Sequence, residues 1–437
     1  MKGVFGVFLM VISFSGLVFV DIVHVDIVHA YTNVSGIINQ DTLWIKTNSP
    51  YKFTGPVGIA EGVTLTIEPG TKVILNNHAF IINGTLIARG TTVDPIYFDG
   101  TMGGNINFEA SSSSWNEETG TGTIIEKTIL NQTNVFFCNS PKLNDNIIKG
   151  SLRSEDKGKY SPIISNNQII GEVGCNGSPI IMNNNITGSI VAGGTPLILD
   201  NNVTGFIRSN GTPVISKNLL YGPTGFDWVG RTSYQDNGVI VGESDNAYIS
   251  DNVITGFYFK SAIHVREGTS IVERNRIENL YGGESAGIII RESAIPLIRN
   301  NSINSGIAIH CSSSSSTIIY NNINGYKYGI YLTGQAQSDV NATLNWWGTK
   351  DLQIINQSIF DNKNDFNVGN VIYTPFLSEP NPSGVPDLYA PIPTPKASQP
   401  PTLSFLLHWV EIDFITMLGV MVVLLIVVIV LIRRKRI

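Results

Sequence analysis

Charged residues are scarce in this 437-residue chain, at 14%, against roughly a quarter in an average soluble protein. Coiled coils, helical bundles and charge-driven nucleic-acid binders need many Lys, Arg and Glu, so those classes are excluded and no nucleic-acid partner is expected. Cysteine is rarer still: three residues, an odd number, which rules out a disulfide scaffold. There are six His, two of them (His24 and His29) near the N-terminus. No His or Cys spacing fits a metal motif, so neither metal nor cofactor is expected. No Gly-rich phosphate loop precedes a helix, and no nucleophilic triad spacing stands out. Long runs that are both apolar and free of charge lie only at the two ends.

Those ends point to export and anchoring. Lys2 precedes an uncharged apolar run from Gly3 to Val20, and Val28-His29-Ala30 offers a cleavage site, so residues 1–30 read as a secretory signal peptide. Phe414 to Ile432 is free of charge, and its 19 residues would span about 28 Å as a helix. Arg433-Arg434-Lys435-Arg436 follows it, so 433–437 is expected to stay in the cytoplasm, with 414–432 crossing the membrane once and the body outside. Eight prolines fall within 380–402, and 380–405 reads as an extended stalk. Removing the −1 of residues 1–30 and the +4 of the tail from the net charge of −6 leaves a body of −9.

What is abundant is Gly and Asn, with 43 of each. Pro162, Pro179, Pro196 and Pro213 recur every 17 residues, heading Pro-Ile-Ile-Ser-Asn-Asn, Pro-Ile-Ile-Met-Asn-Asn, Pro-Leu-Ile-Leu-Asp-Asn and Pro-Val-Ile-Ser-Lys-Asn. Counting the same phrase with other first residues, one Asn stays in register at Asn146, Asn167, Asn184, Asn201, Asn218, Asn252, Asn275, Asn301, Asn322 and Asn345. Two or three aliphatic residues make only a short strand, too small to bury anything alone. Asn permits a left-handed turn, another short strand follows, and Gly turns the chain again. Stacked at about 4.8 Å, such cycles bury a continuous apolar column, and the repeated Asn forms a hydrogen-bonded ladder. The 34 residues from Asn218 to Asn252 read as one rung with a long loop. Later rungs gain an extra strand: Gly238-Val-Ile-Val, Ala262-Ile-His-Val, Gly287-Ile-Ile-Ile, Gly306-Ile-Ala-Ile and Gly329-Ile-Tyr-Leu.

Gly62-Val-Thr-Leu-Thr-Ile-Glu-Pro-Gly70, Asn83-Gly-Thr-Leu-Ile-Ala-Arg-Gly90 and the closing Asn345-Trp-Trp-Gly348 extend the pattern to about 35–380. In these phrases the chain resembles cell-surface members of the right-handed parallel β-helix, pectin-lyase-like superfamily, archaeal membrane-anchored ones among them. The resemblance implies an all-β, single-stranded parallel β-helix of about 12–14 rungs over 31–379, plus one C-terminal transmembrane helix. It implies little about activity, because the superfamily holds lyases, hydrolases and many non-enzymes.

Aligning the extra strands places Val241, Val265, Ile290, Ile309 and Leu332 inward. Arg266, Arg291 and His310 follow at the next position, then Glu243, Glu267 and Glu292, with His264 one outward position earlier. Three Glu on successive rungs would lie about 5 Å apart, the separation of paired carboxylates in a retaining glycosidase. The competing expectation is a solvated ladder of mutually neutralising Glu and Arg. The resemblance implies calcium-binding acids with an Arg or Lys base for a lyase and clustered Asp for a hydrolase, and neither is found. Trp228, Tyr234, Phe257, Tyr258, Phe259, Tyr281, Tyr326, Tyr328 and Tyr331 lie near these rungs and could stack on sugars. Trp346 and Trp347 read as cap. Glycosylation sequons occur at Asn33, Asn83, Asn131, Asn176, Asn185, Asn202, Asn210, Asn300, Asn341 and Asn356. The expectation is a membrane-anchored surface or adhesion rod or a polysaccharide-binding module; the alternatives are a lyase or hydrolase using the Glu column, and a structural spacer.

Overall fold

The structure is a computed structural model. It describes residues 31–154, 160–222, 237–241, 246–256, 261–278, 285–313 and 315–390, with the backbone of Ser13–Phe14 and Leu17–Val18. The signal peptide and the apolar run 414–432 therefore fall essentially outside the described residues. Among those residues no helix is long and apolar enough to cross a membrane.

The body is a parallel β-solenoid of about 13 turns. A thin rung shows why these residues can form nothing else. Ile180–Met182, Asn185–Thr187 and Ile190–Ala192 are three strands of three residues, parted by a tight turn at Asn183 and a break at Gly188. Each points one or two apolar side chains inward: Ile181, Ile186 and Ile190 are fully buried. One such strand has no stability of its own. Stacking supplies it, because each strand pairs in parallel with its equivalent one rung on, at Leu197–Leu199, Asn202–Thr204 and Ile207–Ser209. Calling the three strands of a rung legs A, B and C, leg A forms a 15-stranded sheet, and legs B and C form a 25-stranded one. Burying each isoleucine contributes roughly 1.5–3 kcal/mol. The first rungs are filled by aromatic rings instead, with Trp44 stacked on Tyr51 at 4.6 Å and Phe53 edge-on to Phe80 at 5.4 Å.

A buried ladder of ten asparagines locks the corner between legs A and B. The amide of Asn184 shows the pattern: its oxygen accepts from Asn167 N–H, and its nitrogen donates to Ile164 O and Asn201 Oδ1. The ladder runs through Asn146, Asn167, Asn184, Asn201, Asn218, Asn252, Asn275, Asn301, Asn321 and Asn345. Two expectations are corrected here. Asn321, not Asn322, occupies the ninth step, and Asn322 instead bonds Asn381. The left-handed residue is not the ladder Asn but the one before it: Asn166, Asn183, Asp200, Lys217, Asp251, Arg274, Asn300, Tyr320 and Leu344 all have φ between 51 and 60°. The fixed side chain of the ladder step needs an extended backbone, so the preceding residue takes the turn whatever its type.

Asn218 to Asn252 is one rung, since Val214–Ser216 pairs directly with Tyr248–Ser250; its loop, 223–236, falls outside the described residues. The C-terminal end is closed by the helix Leu352–Gln357, capped by the Asp351 carboxylate, and by Trp347, buried against Tyr373. The segment expected to open the stalk departs from its composition. Residues 381–390 turn back and bond to the A/B corner, because Asn381 and Asp387 offer hydrogen-bonding groups to the left-handed residues there. The remainder, 391–405, lies outside the described residues.

Candidate functional site

Leg C lengthens in the later rungs to Ser261–Gly268 and Ala286–Ala294, and in the next two it runs on from leg B within single strands, Ser302–Cys311 and Asn322–Leu332. Two columns point inward and are fully buried, Ile263-Ile288-Ile309-Ile330 and Val265-Ile290-Cys311-Leu332. The outward column between them is His264, Ile289, His310, Tyr331 and Phe360.

This register corrects the sequence alignment. Ile309 was expected beside Ile290, which would put His310 beside Arg291. Instead Ile309 pairs with Ile288 and Cys311 with Ile290. A shift of two residues keeps every side chain on its face, so alternation alone does not choose between the two registers. Cys311 settles the choice by behaving as a small apolar residue, with burial pushing its thiol pKa up. The Glu column is corrected as well. The register slips between Val265 and Glu267, so Glu267 pairs with Ser293 and not with Glu292. Glu267 is exposed to solvent, while Glu243 and the Glu292 side chain lie outside the described residues.

What the face does assemble is a basic and aromatic cluster. His264 is 8% exposed, and its Nε2 accepts a hydrogen bond of 3.1 Å from Arg291 Nε. Burial, then the charges of Arg291 and Arg266, push its pKa down to about 4. His310 is lowered by burial and by Arg291, and its Nε2 lies 2.7 Å from Thr333 Oγ1. Both imidazoles are therefore neutral at pH 7, and Arg291 carries the nearby positive charge with one N–H committed to His264. Ala286, Ile289 and Ile307 form a small apolar patch against Tyr328 and Tyr331, outside the main core. Tyr331 lies 4.5 Å from Phe360 and 5.1 Å from Tyr328, centroid to centroid. Tyr326 is exposed beside them.

Residues 224–373, about a third of the chain, match the model of the NosD family, described as a periplasmic copper-binding protein. The match falls on the long rungs, whose parallel stacking is described above. The chain is a parallel β-helix protein. No curated protein and no solved structure matches it.

The other predicted positions of this β-helix protein are dispersed. Trp228, Tyr234, Phe257, Tyr258, Phe259 and Tyr281 lie outside the described residues. Among the sequons, Asn33, Asn176, Asn185, Asn202, Asn341 and Asn356 are exposed, whereas Asn83, Asn131, Asn210 and Asn300 are half-buried. Asn185 and Asn202 sit one position after a ladder Asn and face solvent in register on adjacent rungs. A second concavity, about 610 Å³, is lined by Thr91, Thr92, Pro95, Lys127, Asp145 and Ile147, among others, with one charge of each sign. Phe360 escaped the sequence reading because it follows a helix and belongs to no repeat. Its only signal was the apolar pair Ile359-Phe360 after a helix cap.

Sequence reading also passed over an ion network on leg A. Glu273 and Asp251 are each 2% exposed. Arg274 bonds both of them, and Arg299 and the Tyr248 hydroxyl complete the shell of Glu273. Burial alone would raise the Glu273 pKa, but the bonds from Tyr248 and Arg299 outweigh it and hold it below the ordinary value. The network lies along leg A and its A/B corner, and Asp251 also accepts from the Asp387 N–H at 2.8 Å.

Proposed function

We propose that this protein is an exported, membrane-tethered rod that binds surface or matrix polysaccharide without catalysing a reaction on it. The observation that carries the reading is the outer face of leg C. There Tyr328, Tyr331 and Phe360 form a half-exposed aromatic platform beside the hydrogen-bonding His310, Thr333 and Arg291. Rings stack on the apolar faces of sugars, and neighbouring polar groups take up hydroxyls. The slipped register at Glu267 argues against a stacked carboxylate pair, so a glycosidase reading loses its geometry. Export is supported by residues 1–30, and tethering by the uncharged run 414–432 with its basic tail. The exposed sequons are candidate glycan carriers.

Copper, named in the description of the matching family, does not fit the groups present. No three His, Cys, Asp or Glu side chains gather among the described residues. His264 and His310, which are two rungs apart, already bond Arg291 and Thr333.

The test is retention of the full chain, in detergent, on immobilised polysaccharides, compared with Tyr331→Ala and Phe360→Ala. Binding weakened about tenfold or more by each change supports the reading. Retention that neither change alters removes the platform, and product release from any glycan overturns the non-catalytic assignment. A rod that binds no glycan at all would be a structural spacer.

A further inference from the structure

Residues 381–390 do not leave the rod where the rungs end. They run back along its A/B corner, and their partners there are left-handed residues or, for Asn322, a residue two positions after one. Asn381 N–H donates to Asn322 Oδ1 at 2.7 Å, and Asn322 Nδ2 returns a bond to Asn381 O at 2.9 Å. Asn381 Nδ2 donates to Tyr320 O and, at 3.0 Å, to Asn300 Oδ1. Gly384 passes so close that a Cβ there would stand 2.5 Å from Asn322 Nδ2. Further along, Asp387 N–H donates to the buried Asp251 carboxylate at 2.8 Å, and Lys217 Nζ donates to Ala390 O at 2.9 Å. Tyr320, Asn300, Asp251 and Lys217 all have positive φ.

The spacing fits a designed track. From the Tyr320 corner to the Lys217 corner is four ladder steps, about 19 Å at the rung spacing. Ten residues in extended form reach about 30 Å, enough to cover it with the local turn that Asp387 makes by accepting from Tyr389 N–H. The strap takes up the Tyr320 carbonyl and the side chains of Asn300, Asn322, Asp251 and Lys217 along that corner. Prolines at 382 and 386 suit such a strap, since they fix an extended backbone and need no donor partner.

We infer that residues 381–390 are a clamp that carries the chain back from the capped end of the rod to its fifth ladder step, beside Lys217, and holds it there. Each rung has three legs, and the A/B corner is the one leg C does not touch. The strap therefore lies on the edge opposite the aromatic face and leaves that face unobstructed. This second part rests on the polysaccharide-binding reading; the clamp itself does not.

Amide hydrogen exchange on the full-length protein in detergent tests it. The amides of Asn381 and Asp387 are expected to exchange at least tenfold more slowly than an unstructured peptide of the same sequence. Asn381→Ala combined with Lys217→Asn, which tolerates the left-handed turn, is expected to release both amides at least tenfold while those of Ile249 and Ile254 stay unchanged. Unstructured rates in the unaltered protein, or no change in the double variant, overturn the clamp. Release of the strap with unchanged glycan retention keeps the two claims separate. If no glycan is retained by either protein, the binding reading fails while the exchange data still decide the clamp.

Discussion

The rungs that end at Asn167 through Asn218 and those that end at Asn252 through Asn345 enclose the same interior but present different exteriors. In the first group the ladder advances 17 residues at a time after an opening step of 21; in the second it advances by 34 and then by 23, 26, 20 and 24. Inside, both stack isoleucine, valine and leucine on one line, and both carry the same amide ladder. Among the described residues, the second group adds a longer leg C with His264, Ile289, His310 and Tyr331 on its outer side. The first group shows Arg153, Gly174, Val191 and Arg208 in that same column. Stability is thus carried by the interior of each rung, and the proposed recognition falls to an exterior that is lengthened without touching the core.

Substitutions can break this comparison at several levels. The largest effect is expected where both regions are alike. Asn201→Ala strands the Asn184 N–H and the Ile181 carbonyl, and Asn275→Ala strands the matching groups at Asn252 and Ile249. Each should cost about 2–6 kcal/mol, from two buried groups left unpaired. Denaturant melts giving losses that differ by more than twofold between the two sites would show that the ladder is not equivalent along the rod.

An acid effect of intermediate size should appear in the long rungs alone, since no His lies between 146 and 222. His264 titrates near 4 when folded and at the ordinary 6.5 when unfolded. The unfolded chain therefore takes the proton first, and stability present above pH 6.5 is lost as pH falls toward 4, by at most about 3 kcal/mol. His264→Gln should flatten that window in pH-dependent melts, and an unchanged pH profile would refute the assignment. A smaller effect, about 1 kcal/mol, is expected for Tyr331→Ala, whose ring is half-exposed. Its main consequence should be weaker polysaccharide retention. Smallest of all, Thr187→Ala and Thr204→Ala on the outer side of leg B should stay within about 0.5 kcal/mol in the same melts.

The rung phrase made most of the interior legible, because a 17-residue period with one invariant Asn has few stackable solutions. The doublet Asn321-Asn322 shows where such reading slips. At Asn166-Asn167 the second Asn of the doublet is the ladder member, because the first takes the left-handed turn. At the ninth step Tyr320 takes the turn, and the doublet is displaced by one. Ile309 slipped by two for a related reason, as Ile307-Ala-Ile and Ile309-His-Cys satisfy the same alternation. The strap was illegible because proline-rich composition describes a preference of the backbone, whereas its docking depends on single groups of Asn381 and Asp387 meeting residues 59 to 136 positions away. Phe360 joined the platform only through pairing of Ile359–Phe360 with Ile330 and Tyr331.

The ladder also bears on how such a chain changes over generations. Asn184 and Asn201 make the same bonds to the step before and the step after. A duplication or loss of the 17 residues between them would therefore join like to like, with no new interior to invent. Slippage in the gene becomes a change in the height of the rod, made in increments of about 4.8 Å. Reach becomes a trait that ordinary copying errors can tune while the face near the C-terminal end stays intact.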